Sequence, residues 1–146
     1  VTNAGLVHQV RMLRAGAGDP SVMLAQFRLS AVLLPRWGAT AVRTADVGGL
    51  RWILAFSSES QLALFAESRG LSADGLPYLT VLGARLLDVA VPQLGVPGGI
   101  ALNIAGTEPM LFPPVRGIVP NAAALDGADD DNEGDRWPGS GLTRSR

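Results

Sequence analysis

Trp52-Ile53-Leu54-Ala55-Phe56-Ser57-Ser58-Glu59-Ser60-Gln61-Leu62-Ala63-Leu64-Phe65-Ala66 is the stretch on which the fold turns. Its first five residues form an unbroken apolar run, too short for a core helix and the right length for a buried strand. Ser58 and Gln61 then stand three apart as a capping box, in which each side chain satisfies a backbone amide near a helix start. Leu62, Phe65 and Ala66 supply the buried stripe of that helix. Arg69-Gly70 ends it, with a cation near the negative end of the dipole and a glycine suited to the left-handed cap. A buried strand feeding directly into an amphipathic helix is the unit from which α/β layers are built.

Working upstream, Ala31-Val32-Leu33-Leu34 is another short apolar run, and Pro35 is expected to stop it. Gly48-Gly49 reads as the turn before the Trp52 run, so the two strands are expected to pair as a hairpin. Asp19-Pro20 begins a helix over about 20–28, the carboxylate capping free amides and the proline occupying the first turn. Residues 4–15 place Leu6, Val10 and Leu13 on one stripe of a further helix, with His8 and Arg11 turned away. Downstream, Tyr78 to Leu82 reads as a strand and 84–91 as a helix with Leu87, Ala90 and Val91 inward, stopped by Pro92. Gly95 to Gly99 is expected to be a flexible turn. Ile100, Leu102 and Ile104 alternate with Ala101 and Asn103 along a fourth strand, and Met110 to Phe112 is a short fifth.

The fold class expected is therefore α/β (α+β): a mixed four- to five-stranded sheet packed with three to four helices. The organisation expected is an N-terminal helix over 1–18, one α/β domain over 19–120 and a disordered acidic tail over 121–146. The run from Asp126 to Asp135 has almost no large apolar side chains with which to offset its ordering entropy.

Composition removes whole classes of chemistry. The 146 residues suffice for one domain. A hydrophobic fraction of 47% against 17% charged gives that domain a real core. With a net charge of -1 there is no electrostatic footprint for nucleic acid. Every cation is arginine, which removes Schiff-base and P-loop lysines. The absence of cysteine removes disulfides, thiolate nucleophiles and cysteine zinc sites together. No apolar stretch approaches the ~18 residues of a membrane span, and the early hydrophobics are interrupted by His8, Arg11 and Arg14, unlike a signal peptide. A cytoplasmic location is the default expectation, and Val1 leaves the true start of the chain open.

The apolar strand closed by Pro35, the Phe56-Ser57-Ser58-Glu59 helix start and the late Asn103-Ile104-Ala105-Gly106 turn, taken in order, resemble the N-terminal domain of the SseB (enhanced serine sensitivity) family. In that family the second strand runs into a Phe-Thr-Ser-Glu-like start and a late strand into Asn-Pro-Gly-like residues. Ser57 stands in for threonine here, and Ile104 departs from the usual proline. The resemblance spans roughly residues 19–120. It implies a compact bacterial α/β domain of undefined biochemical role, and it brings no catalytic residues.

Each candidate site fails a specific requirement. Ser57 and Ser58 lie at a strand-to-helix junction, yet lack the flanking glycines of a nucleophile elbow. His8 is the only histidine and has no partner for metal or base chemistry. Asp129-Asp130-Asp131-Asn132-Glu133-Gly134 opens like a calcium loop, but Ser140 occupies the position of the bidentate glutamate. Gly95-Val96-Pro97-Gly98-Gly99 leads into a strand, whereas a phosphate cradle must lead into a helix. Arg85 and Asp88 are expected to pair on the outer side of their helix. Trp52 reads as sheet packing and Trp37 as open to either packing or contact.

The functional expectation is a noncatalytic protein-interaction or regulatory domain with no metal, cofactor, nucleic acid or membrane. Trp37, Gly98 and Asn103 are the candidate interaction surface, around Trp37 and the 95–99 loop. The competing class is a small-molecule-binding domain or minor enzyme, which requires Arg85, Asp88 and Asn103 to converge in one pocket. A subunit of a homo-oligomer is the third.

Overall fold

The computed structural model of the chain describes residues 3–39, 41–72 and 76–126. Helix α1 spans Ala4–Arg14 and α2 Pro20–Leu29. Strands β1 (Ala31–Trp37), β2 (Ala41–Val42), β3 (Thr44–Val47) and β4 (Leu50–Ala55) follow, then α3 (Glu59–Ser68) and β5 (Tyr78–Leu82). A helical segment α4 begins as α-helix over Gly83–Arg85 and continues as π-helix over Leu86–Ala90, before β6 (Gly98–Leu102) and β7 (Met110–Phe112).

The architecture is mixed α/β. One sheet has the order β2-β1-β5 and the other β3-β4-β6-β7, with β4 and β6 parallel and the remaining pairs antiparallel. A bridge joins them, since Leu33 and Phe56 exchange amide-to-carbonyl bonds of 2.8 and 2.9 Å. The simple hairpin between the 31–34 and 52–56 runs does not form. Two hairpins stand in its place, β1 with β2 and β3 with β4, and Arg43 is their branch point: its N–H donates to Pro35 and its carbonyl accepts from Leu54. The pair β2 and β3 escapes a sequence reading because Arg43, Thr44 and Asp46 interrupt the apolar pattern. Pro35 does not stop β1 either. The Arg36 N–H bonds to the Pro77 carbonyl, so the ladder passes around the missing donor.

Alternation along the strands builds a core on each face. Val32, Leu34, Ile53, Ala55, Ile100, Leu102 and Phe112 face α1, α2 and α4, while Leu33, Leu54, Phe56 and Ala101 face Leu62, Phe65 and Ala66 of α3. β6 is buried over its whole length, lying inside the sheet between β4 and β7. Helix α1 belongs to this domain and does not precede it, for Leu6 and Val10 are buried in the same core as Phe27. The C-terminal limit also moves. Ala124 is buried in that core, Leu125 N–H donates to Pro114, and an Asp126 carboxylate oxygen accepts from Arg116 N–H, so the packed unit extends past Pro120. The rest of the acidic run and the calcium-like Asp129–Gly134 stretch lie outside the described residues.

Helix starts follow the capping residues. An Asp19 carboxylate oxygen accepts from Ser21 N–H at 2.8 Å, and the Ser58 hydroxyl accepts from Gln61 N–H at 3.3 Å. The second half of the Ser58/Gln61 box is not made, because the Gln61 amide packs against Gly106 instead. Ser58→Ala is expected to cost about 1 kcal/mol in urea-induced unfolding. A loss no larger than that of Ser60→Ala would show that the single cap bond contributes nothing.

Candidate functional site

Where β4 meets α3, three polar side chains are drawn into the interior. Ser57 and Asn103 are 1% and 7% exposed, so each must find its hydrogen bonds inside the protein. The Asn103 Oδ1 accepts from Ser57 N–H and its Nδ2 donates to Ser57 Oγ, both at 2.9 Å. Asn103 has φ 54, a left-handed conformation that asparagine tolerates better than most residues. Beside it, Asn3 Nδ2 donates to the carbonyls of Ala31 and Ser57 at 2.7 and 2.9 Å, tying the start of α1 to the same junction. The 56–59 and 103–106 stretches are thus bonded to one another. Asn103 is consequently not part of an interaction surface, and it ends β6 at Leu102 where continued alternation to Ile104 was expected.

Gly98 is not a surface residue either. It and Gly99 open β6 rather than completing a turn. A side chain at Gly98 would place its Cβ 2.2 Å from the Arg51 carbonyl oxygen, and one at Gly99 would lie 2.2 Å from that of Phe112. Both positions are glycine because the neighbouring backbones approach that closely. Val96 and Pro97 of the preceding loop remain exposed. Trp37 closes β1 opposite Ala41; its side chain lies outside what the structure describes.

Arg85, Asp88 and Asn103 do not converge. Asp88 pairs across elements with Arg28 of α2, through bonds of 3.1 and 2.7 Å, rather than with Arg85 on its own helix. The hydrogen bond from Arg28 holds the Asp88 carboxyl below its ordinary value. Arg85 is exposed. The π-helical turn over 86–90 is one reason that simple three-residue spacing misleads here.

The open feature is an apolar sheet face. Helix α3 leaves β4 and returns to β5, which lies beyond β1, so it covers the β1 side, and among the described residues nothing packs over the other half of the face. A groove of about 410 Å³ remains there, walled by Val47, Leu50, Trp52, Ala101, Ile104 and Leu111 among others. Trp52 lies partly buried across its parallel-pair partner Gly99, where the missing side chain leaves room for the indole. Val47 is 64% and Leu111 52% exposed, on strands at opposite edges of the sheet. Single exposed apolar residues are ordinary, but a contiguous patch marks a contact surface. On the opposite face of the same β3–β4 hairpin Arg51 makes two bonds to Asp46, at 2.8 and 3.0 Å, and these hold the Asp46 carboxyl below its ordinary value. Sequence reasoning reached Trp52 but not Val47, Leu50 or Leu111. The alternation Leu50, Trp52, Leu54 was the available signal, hidden within a run read as buried on both faces.

Among the described residues no helix is long and apolar enough to cross a membrane. Comparison of the chain with protein-family models, curated proteins and solved structures finds no match.

Proposed function

We propose that this chain is a noncatalytic protein-interaction or regulatory domain of the SseB-like type, acting in the bacterial cytoplasm. Its docking surface is the uncovered half of the sheet face. The observation that carries this reading is the groove around Trp52, in which apolar side chains from four adjacent strands are presented together with almost no polar atoms among them. A rigid sheet presenting an aromatic anchor fits the hot-spot pattern of protein interfaces. The bonding of Ser57 to Asn103 supports the SseB-like assignment, because it joins the two stretches on which that resemblance rests. The partner fitting this surface is a protein that contributes apolar side chains to the groove.

A photo-crosslinking residue at position 111, introduced into the full chain in its own cells, is expected to capture a defined protein. The same residue at Leu29, 78% exposed on α2, is expected not to do so. With that protein purified, Leu111→Arg is expected to weaken binding at least tenfold, about 1.4 kcal/mol, without changing thermal unfolding. Capture only from position 29, no capture at all, or unchanged affinity would each overturn the assignment. Capture of the chain itself would make the surface a self-association face and also overturn it.

A further inference from the structure

We propose that the open edge of β5 pairs with the same edge of a second copy of this chain, forming a two-fold antiparallel dimer. The direction of the β5 backbone groups follows from its register with β1. Leu33 commits its N–H and carbonyl to Phe56, so antiparallel alternation leaves Val32 and Leu34 to bond Val81 and Leu79. Bonds from Gly83 to Ser30 and from Arg36 to Pro77 keep the same phase beyond both ends. The amides of Tyr78, Thr80 and Leu82 and the carbonyls of Tyr78 and Thr80 are therefore turned to the open side, where no strand among the described residues pairs with them.

The other edges are protected. β2 has two residues, β3 carries Asp46, and β7 lies between Pro109 and Pro113. Short strands, charges and prolines are the devices that keep a sheet edge from pairing. β5 is five residues long, Tyr-Leu-Thr-Val-Leu, and has none of them. Tyr78 and Leu82 are 37% and 52% exposed, and with Thr80 they share one face.

This edge is self-complementary, which selects a second copy as its occupant. With a two-fold axis at Thr80, each Thr80 exchanges both backbone bonds with its counterpart, and each Tyr78 carbonyl accepts from the other copy's Leu82 amide. The same register sets Tyr78 beside Leu82 and Thr80 beside Thr80, an aromatic against an aliphatic side chain and a Thr–Thr pair. Glu59, which accepts from the Tyr78 hydroxyl, stands at one end of the edge, and the exposed Arg85 follows Leu82 at the other. Antiparallel pairing brings these opposite charges together at both ends, whereas parallel pairing would set like beside like. A contact of this extent belongs to the transient class, below about 1,200 Å².

The test is sedimentation velocity of the full chain from about 10 μM to about 1 mM, a range suited to such contacts. A reversible monomer–dimer equilibrium is expected. Thr80→Lys and Thr80→Glu are each expected to weaken it at least tenfold with thermal unfolding unchanged, because the axis sets like charges directly opposite. An equimolar mixture of the two variants is expected to restore association, since this register sets lysine against glutamate. Should either fail to fold, Thr80→Pro provides the reading; it removes the outward amide and leaves the ladder to β1 intact, with the same loss expected. A monomer throughout the range, undiminished association in a folded variant, or charged variants that do not associate when mixed would overturn the proposal. Association lost in Leu111→Arg instead would place the contact on the apolar groove and overturn it as well. The other outcomes do not bear on the groove, because no β5 residue lines it and β5 and β7 are edge strands of different sheets.

Discussion

Phe27→Ala is expected to destabilise the domain by about 3 to 5 kcal/mol, with a linear urea-unfolding midpoint shifted accordingly. The side chain is fully buried and stacks on Phe112, with ring centroids 4.2 Å apart and planes 24° from parallel. That one pair joins α2 to the far edge of the sheet, because Phe112 lies on β7. Truncation removes the transfer free energy of a benzyl group, leaves a cavity, and abolishes an aromatic pair worth about 0.5 to 1.5 kcal/mol beyond its area. The surroundings are poorly placed to collapse into the gap. Gly83 already approaches so closely that a Cβ there would lie 2.0 Å from the Phe27 carbonyl oxygen, so α2 and the start of α4 are in contact through backbone. Against a typical total of about 5 to 15 kcal/mol, such a loss leaves the protein partly unfolded at moderate temperature. A measured change below about 1 kcal/mol, the range of an ordinary surface substitution or a minor core adjustment, would show that the stack does not hold the two elements together.

The second large effect is expected at Asn103. Asn103→Ala removes the acceptor of the Ser57 N–H and the donor to Ser57 Oγ, both in a site where water does not enter freely. Leaving the buried amide unpaired costs about 1 to 3 kcal/mol. Holding alanine at φ 54 adds roughly another 1 kcal/mol. The total of about 2 to 4 kcal/mol separates into its parts with a second variant. Asn103→Gly removes the same hydrogen bonds but adopts the left-handed conformation freely, so it is expected to be the milder of the two by about 1 kcal/mol. Equal losses would show that backbone strain contributes nothing, and a loss below about 0.5 kcal/mol in both would show that the Ser57–Asn103 bonds do not stabilise the junction. Binding at the apolar groove is expected to be unchanged in either variant that remains folded.

Local chemistry made much of this legible from the residues. Asp19-Pro20 and Ser58 start helices where their side chains predict, and Gly70 adopts the left-handed conformation after α3. Met110 to Phe112 is a strand with the expected limits. These features are decided by interactions a few residues long. The failures are of another kind. Gly98 and Asn103 are candidates for an interaction surface in the sequence, yet in the fold the first admits a neighbouring carbonyl and the second saturates a buried junction. Asp88 was assigned the nearest cation in sequence, and the fold supplied Arg28 from sixty residues away.

The sequence by itself determined that the chain forms an α/β core, where most of its helices begin and end, and which catalytic classes lack their necessary residues. Hydrophobic period, capping groups and composition carry that information locally. Only the tertiary structure decided which apolar residues remain uncovered. Trp52 and Leu54 lie on the same face of one strand, look alike in sequence and both line the groove; Leu54, at its α3 end, is 2% exposed, while Trp52, farther from α3, is only partly buried. The difference arises because α3 must travel toward β5 on the far side of β1. Burial on a sheet face is set by the path of the crossing helix, and that path is fixed by strand order.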